Sequence, residues 1–149
     1  MMEDIVIRVL DSQDMDDAVR LILAVFDEFE APDYSEEGVR EFYGSIRNDD
    51  FMNSLCFIGA FKDNELAGII ATRNEGSHIA LLFVEKKFQK QGIGRKLFEH
   101  VKNGCHAEKM AVNSSPYAVE IYHRFGFRDT GPEQTVNGLR FTPMELHIS

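Results

Sequence analysis

The strongest candidate for a binding site in this chain is a glycine turn, Gln89-Lys90-Gln91-Gly92-Ile93-Gly94. It separates a short, apolar, β-prone run at 79–84 from a run at 93–104 whose apolar residues recur at helical spacing. A glycine turn that opens a helix points several free backbone N–H groups at one place, where the helix dipole also favours an anion. Residues 86–96 contain five bases and no acid. The pattern predicts a phosphate cradle for a ligand that also runs along the preceding strand.

Apolar spacing and turn residues predict the elements that position this turn. We expect helices beginning near Asp16, Glu36, Ile93 and Pro116, and strands at 5–10, 55–61, 66–72, 78–84, 109–112, 127–131 and 139–148. The order is therefore β-α-α-β-β-β-α-β-α-β-β. The central strands are joined by tight turns and should pair antiparallel, whereas residues 79–112 form a strand–helix–strand crossover. The prediction is an α/β fold with a mixed sheet and helices on both faces.

Length and composition favour a single domain over residues 1–149 with one well-buried core, because 44% of the residues are apolar. No apolar run is long enough to span a membrane, and the N-terminus carries acids where a signal peptide would carry bases. We expect a cytoplasmic protein with no membrane partner. Cys56 and Cys105 have no metal-ligand or redox-pair spacing and are expected to be free thiols.

Charge is distributed unevenly along the chain. The net charge of −9 argues against nucleic acid as a partner, but residues 1–50 carry 15 acids and 4 bases, and the remainder 10 acids and 12 bases. Two interpretations of the acidic segment remain open. It either favours a cationic ligand or is a solvated surface that aids solubility.

Two motifs together resemble the GNAT superfamily of N-acetyltransferases. Gln89-x-x-Gly92-x-Gly94 resembles the family's Gln/Arg-x-x-Gly-x-Gly/Ala signature. Downstream, residues 113–127 are similar to the second motif of the family, in which an Asn precedes a helix that carries Ala and Tyr and ends in Gly-Phe. The matching residues here are Asn113, Ala118, Tyr122, Gly126 and Phe127. The element order also matches the GNAT fold, whereas the third glycine of a dinucleotide-binding turn is absent, with Leu97 in its place.

The resemblance implies acetyl-coenzyme A as co-substrate. Its pyrophosphate would lie on the backbone N–H groups of residues 91–95, with charge added by Lys90, Arg95 and Lys96. The pantetheine arm would pair along Leu82, Phe83 and Val84, and the Leu82 N–H would stabilise the oxyanion. Asn113 would hydrogen-bond the same arm. The alternatives are an exposed helix start for the bases, a buried strand for residues 82–84 and a turn role for Asn113.

The resemblance also suggests catalytic side chains. Tyr122 would protonate the departing thiolate, and the alternative is a core aromatic residue. His78 is the first candidate for a general base, since it lies six residues before Val84 and shares its strand face if the strand is regular. The alternatives are ordered water or an acid at the end of the first helix, near the implied acceptor site. Those acids are Glu28, Glu30 and Asp33.

The sequence thus predicts an N-acetyltransferase in which a primary amine of a small molecule or peptide attacks acetyl-CoA directly, without metal. The alternatives are a non-catalytic acyl-CoA-binding sensor of the same fold and an unrelated nucleotide-binding protein. Residues 129–140 could close over a ligand or contact a second subunit, so a homodimer also remains open.

Overall fold

A computed structural model of the protein describes residues 5–148. Its elements, in chain order, are β1 (Ile5–Val9), α1 (Met15–Val25), α2 (Glu36–Ile46), α3 (Asp49–Asn53), β2 (Cys56–Lys62), β3 (Glu65–Arg73), β4 (His78–Val84), α4 (Ile93–Gly104), β5 (Lys109–Ser114), α5 (Val119–Phe125), β6 (Arg128–Asp129), β7 (Gln134–Val136) and β8 (Leu139–His147). None of the helices in this part of the chain is long and apolar enough to cross a membrane.

The strands form one mixed sheet in the order β1-β2-β3-β4-β5-β8-β6, with β7 paired to β8. All neighbouring strands are antiparallel except β4 and β5, which the α4 crossover makes parallel. One core packs α4 and α5 against the first face of the sheet, and a second core packs α1 and α2 against the other. The mixed α/β fold with helices on both faces is therefore confirmed.

Two short elements were not predicted. The helix α3 has only five residues, and the side chain of Asn48 caps it by accepting a hydrogen bond from the Phe51 N–H at 2.9 Å. The strand β7 has three exposed residues and so lacks the alternating burial that marks a strand in sequence. It forms a hairpin with β8 through Asn137 and Gly138, whose φ angles are 54° and 81°. Asn-Gly at such a turn is a hairpin signal that the sequence did contain.

The helix α1 ends in a π-helical turn over Phe26–Glu30. The Ala31 N–H there bonds to the Phe26 carbonyl, five residues back instead of four. Since a π turn takes an extra residue, it rotates the following side chains relative to a regular α-helix. Glu30 becomes buried, with 9% of its surface exposed, while Phe29 is only partly buried. Regular helical spacing from Ile22 and Val25 would instead place Phe29 on the buried face.

The strand β4 contains a β-bulge at Ala80. Thr72 of β3 pairs with Ile79, but Ala71 pairs with Leu81, so Ala80 has no partner across the ladder. Ala80 and Leu81 consequently both face the core formed with α1 and α2, while Ile79 faces the other core. The expectation that His78 shares a strand face with Val84 is therefore wrong, because it assumed a regular strand.

Candidate active site

A gap opens between β4 and β5. The two strands pair only at His78 and Ile79, opposite Ala111 and Val112, and then diverge. On the other edge of β4, the Glu85 N–H bonds to the Ala67 carbonyl at 2.8 Å, which makes these two residues a hydrogen-bonded pair of the antiparallel ladder. Hydrogen-bonded and non-hydrogen-bonded pairs alternate in such a ladder.

This alternation fixes the direction of the β4 backbone groups. Phe83 is a bonded partner of Ile69, whereas Leu82 and Val84 stand opposite Ile70 and Gly68 as non-bonded pairs. The N–H and C=O groups of Leu82 and Val84 therefore point away from β3 and into the gap. The Val84 carbonyl accepts a hydrogen bond there from the side-chain amide of Gln89 at 3.0 Å.

The glycine turn lies at the end of this gap and begins α4. Gly92 has φ of 82°, a left-handed conformation that glycine adopts without strain, and no side chain caps the helix. The first bond of the helix runs from the Lys96 N–H to the Gly92 carbonyl at 3.0 Å. The amides of Ile93, Gly94 and Arg95 precede that bond and remain free for an anion.

Side chains of the turn divide into two groups. Gln91 accepts a 2.6 Å hydrogen bond from Lys62, and together with Gln89 it holds the turn against β2 and β4. Lys90 and Lys96 are exposed and have no acidic partner within residues 5–148. They can add positive charge where the free amides converge.

Arg95 directs its guanidinium away from the turn. It donates to the Arg124 carbonyl at 3.0 Å and lies 5.2 Å from the centroid of the Phe125 ring. The expectation that its side chain adds charge at the phosphate is therefore wrong in this conformation, although its backbone amide remains at the turn.

A cavity of about 330 Å³ adjoins the gap, between β4 and β5 on one side and α2 and the β7–β8 hairpin on the other. It extends along β4 from Phe83 and Leu82 to His78. Glu30, Tyr122 and Asn113 also line it, so the structure brings together four predicted side chains, His78 included. Asn113 lies near the end of β5, opposite Pro143 of β8.

Glu30 is the buried acid of this cavity. Burial raises the pKa of its carboxyl to about 7, an effect that a polar contact with Ser115 partly offsets. The other two acids of the predicted set lie elsewhere. Glu28 is exposed and pairs with Lys86 at 3.1 Å, and Asp33 is exposed and does not line the cavity.

Tyr122 lies close to Glu30. Its ring packs edge-on against Phe125 and Phe127, at centroid distances of 5.9 and 5.4 Å, and only 4% of its surface is exposed. Burial and the Glu30 carboxylate raise the pKa of the Tyr122 hydroxyl above its ordinary value, so the hydroxyl keeps its proton. Tyr122 also lines the cavity. The core-aromatic and proton-donor interpretations of Tyr122 are therefore compatible.

His78 is half-buried at the opposite end of the cavity. Burial and the positive charge of Arg73 lower the pKa of its imidazole below the ordinary value, so the ring is neutral at pH 7. Arg73 Nη2 lies 3.3 Å from His78 Nε2. Since a guanidinium can only donate, Nε2 accepts this bond and the ring proton belongs on Nδ1.

The β7–β8 hairpin covers the cavity. Val136, Asn137 and Leu139 line the cavity, and the backbone of Gly138 lies against Gly38 of α2 so closely that a Cβ on Gly38 would stand 2.2 Å from the Gly138 carbonyl oxygen. Arg140 completes the attachment by donating to the Asp33 carbonyl at 3.0 Å. Part of the segment 129–140 therefore borders the cavity.

Comparison with known proteins agrees with this geometry. The sequence profile of the acetyltransferase (GNAT) domain matches residues 30–148, so the chain belongs to the GNAT acetyltransferase family. Sequence comparison with curated proteins finds no significant match. Family membership excludes the unrelated nucleotide-binding fold.

Solved structures share the fold at low sequence identity. A GCN5-related N-acetyltransferase from Rhodopseudomonas palustris is 18% identical with a TM-score of 0.84, and the match covers 99% of this chain and 98% of that one. The PaiA N-acetyltransferase from Thermoplasma acidophilum, solved in complex with coenzyme A, is 21% identical with a TM-score of 0.71, covering 97% and 99%. YjaB from Escherichia coli, in its apo form, is 21% identical with a TM-score of 0.76, covering 95% and 97%.

Three contributors to the site were not predicted from sequence. Arg73 ends a strand and belongs to no motif, and Ser115 was interpreted only as a helix start. Arg140 lies in a segment for which two roles were open. Only the Asn137-Gly138 pair offered a signal for the hairpin that carries Arg140 to the cavity.

Proposed function

We propose that the protein is an acetyl-CoA-dependent N-acetyltransferase that transfers the acetyl group to a primary amine by direct attack. The observation that carries this proposal is that Glu30 and Tyr122 line one cavity, beside the gap into which the Leu82 N–H points. An acid with a raised pKa, a protonated phenol and a free amide are the three groups that aminolysis of a thioester needs.

The chain fits coenzyme A at two places. The free amides of Ile93, Gly94 and Arg95 suit a pyrophosphate, with Lys90 and Lys96 beside them. The N–H and C=O groups of Leu82 and the N–H of Val84 suit an extended pantetheine arm, which pairs there as an added strand. Acetyl-CoA supplies the activated acetyl group as a thioester.

The residues act in the following roles. Glu30, ionised, accepts the proton that the acceptor ammonium must lose before its nitrogen lone pair forms the new C–N bond. The Leu82 N–H donates to the carbonyl oxygen as negative charge grows on it. Tyr122 donates its proton to the sulfur as the C–S bond breaks, and the second proton of the attacking nitrogen returns to the Tyr122 phenolate. Glu30 releases its proton to water, and the products are an N-acetyl amine and coenzyme A.

Glu30 suits the base role better than His78 does. The pKa of Glu30, about 7, keeps a large fraction of the carboxylate ionised at neutral pH and still basic enough to take a proton. The Nε2 lone pair of His78 is occupied by Arg73, and the imidazole lies at the other end of the cavity.

The experiment has two readouts on the same protein. Calorimetry measures binding of coenzyme A, and thiol release from acetyl-CoA in the presence of an amine panel measures turnover, with mass spectrometry of the acetylated product. Binding with amine-dependent thiol release supports the proposal. Binding without turnover of any amine favours the sensor, and no binding at millimolar coenzyme A overturns both.

A further inference from the structure

We infer that the acceptor amine carries a carboxylate at the far end of an extended chain, and that Arg73 binds this carboxylate. The inference rests on the proposed function, because it assigns the substrate class of the same cavity. It starts from an arginine that lines the cavity without an acidic partner in the described residues, its one polar contact being His78.

Arg73 and His78 together present donors to an anion. The guanidinium uses Nη2 toward His78 and keeps its remaining N–H groups, which match the planar geometry of a carboxylate. Because the Arg73 contact occupies Nε2, the His78 ring offers its Nδ1–H as a further donor. A neutral imidazole held this way is an anion-binding group and not a base.

The other charged side chains that line the cavity either have partners already or lie away from Arg73. Arg140 is held by Glu133, at 3.1 and 3.2 Å, and by the Asp33 carbonyl. Glu41 is exposed on α2 and receives a 3.5 Å contact from Asn137 on the facing hairpin. Within residues 5–148, Arg73 is therefore the cation of the cavity that is left for the substrate.

The length of the cavity selects the spacing between amine and carboxylate. The acceptor nitrogen must reach the acetyl group near Leu82, whereas Arg73 pairs with His78, four residues earlier on β4. Because Ala80 is bulged, the same separation on β3 is three residues, from Ile70 opposite Leu82 to Arg73, which is about 10 Å at the usual rise of a strand. An α-amino acid, with both groups on one carbon, spans only a small part of this distance. A chain of several methylenes can span it.

The wall between the two ends is apolar and suits such a chain. Phe42, Ile46 and Phe51 line it from the helix side, and Val136 and Leu139 from the hairpin. Methylene groups bury favourably against these side chains. The geometry thus favours an ω-amino acid, or the ε-amine of a lysine with a free carboxylate, over a purely cationic amine of the kind that the acidic segment 1–50 would favour by charge alone.

The test compares matched amines. Aminohexanoate, hexylamine and diaminohexane share one chain and differ in the end group, and glycine and γ-aminobutyrate shorten the chain. Binding to the protein saturated with coenzyme A is measured by calorimetry, so this readout does not need turnover. We expect aminohexanoate to bind at least about tenfold more tightly than hexylamine and the shorter amino acids.

Substitutions of Arg73 test whether its guanidinium causes this difference in binding. Arg73→Gln should weaken aminohexanoate binding about 30-fold and leave hexylamine binding unchanged, and Arg73→Lys should restore part of it. Arg40→Gln, which removes an exposed arginine on the outer side of α2, is the matched control and should change nothing.

Equal binding of hexylamine and aminohexanoate, or aminohexanoate binding that is insensitive to Arg73→Gln, would overturn the inference. The proposed function would survive this outcome if any amine still released thiol from acetyl-CoA. Conversely, Arg73-dependent binding without thiol release would uphold the carboxylate site and count against the transferase.

Discussion

The guanidinium of Arg95, in the first turn of α4, donates a 3.0 Å hydrogen bond to the carbonyl of Arg124 in the last turn of α5. This bond links the helix that begins at the glycine turn to the helix that carries Tyr122. The stacked rings of Phe98 and Phe125, with centroids 4.6 Å apart, make a second link between the same helices. The helix that follows the glycine turn and the helix that carries Tyr122 are therefore joined by two contacts.

Replacing the two neighbouring bases of the turn should separate structure from binding. Arg95→Met should lower the free energy of unfolding by about 1 kcal/mol, because it removes a charged donor from the end of α5. Lys96→Met should leave stability unchanged and weaken coenzyme A binding several-fold, since Lys96 has no acidic partner in the described residues. Thermal unfolding measures the change in stability, and calorimetry measures coenzyme A binding. A loss of stability in Lys96→Met, or a loss of coenzyme A binding in Arg95→Met alone, would contradict these roles.

Glu30→Gln should abolish the rising limb of the pH–rate profile. In the wild type, kcat/KM should rise with pH through the pKa of Glu30, about 7, because only the ionised carboxylate accepts a proton. The glutamine variant should be slower by two or more orders of magnitude and have a flat profile in this range. An unchanged limb in the variant would assign the base to another group.

Stability provides a second measurement on the same residue. Because the folded-state pKa of Glu30 is raised from 4.5 to about 7, the folded protein favours the protonated carboxyl. Its contribution is fully present below pH 4.5 and is lost as pH rises to 7 and above, by about 3 kcal/mol. Glu30→Gln should remove this loss. Denaturant titrations of the wild type and the variant between pH 4.5 and 8.5 give the difference in their free energies of unfolding at each pH. A difference that does not change with pH would refute the raised pKa.

Tyr122→Phe should lower kcat without unfolding the protein. The phenylalanine ring keeps the contacts with Phe125 and Phe127, so coenzyme A affinity should be unchanged and the free energy of unfolding should change by less than about 1 kcal/mol. Loss of the proton donor should cost 10²-fold or more in kcat. Tyr117→Phe is the matched control, since Tyr117 is 38% exposed and packs against Phe29 outside the cavity lining, with ring centroids 5.3 Å apart. Equal rates for the two variants would exclude the acid role.

Two glycines of α2 test the hairpin that covers the cavity. A Cβ at residue 38 would stand 2.2 Å from the Gly138 carbonyl oxygen, so Gly38→Ala must displace the hairpin, whereas a Cβ at residue 44 meets nothing within 4 Å. Gly44→Ala should stabilise the helix by about 1 kcal/mol, and Gly38→Ala should destabilise the protein and raise KM for the amine more than KM for acetyl-CoA. Equal effects on both substrates would show that the hairpin does not border the acceptor.

The parts of the site that follow from local periodicity could be predicted. The strand 78–84 alternates in burial and ends at a glycine turn, so both its bounds and the helix after it were correct. The backbone direction of Leu82 and Val84 needed the pairing with β3, and the predicted donors agree with that pairing.

The parts of the site that depend on an extra residue inserted into a helix or a strand could not be predicted. The π turn before Ala31 brings Glu30 into the cavity, and the bulge at Ala80 moves His78 to the other face of the sheet. Neither irregularity has a sequence pattern of its own, because each is set by tertiary packing. The roles proposed for Glu30 and His78 differ from the first expectation for this reason, while Tyr122, on a regular helix, lines the cavity.

Ala80, which has no partner across the ladder, divides β4 into two halves. Downstream of it, the free main-chain groups of Leu82 and Val84 point into the gap whatever side chains these residues carry. Upstream, His78 and its cross-strand partner Arg73 line the cavity with their side chains. Under the proposed function, exchanges at 73 and 78 should change substrate choice without altering the main-chain groups that would bind the thioester.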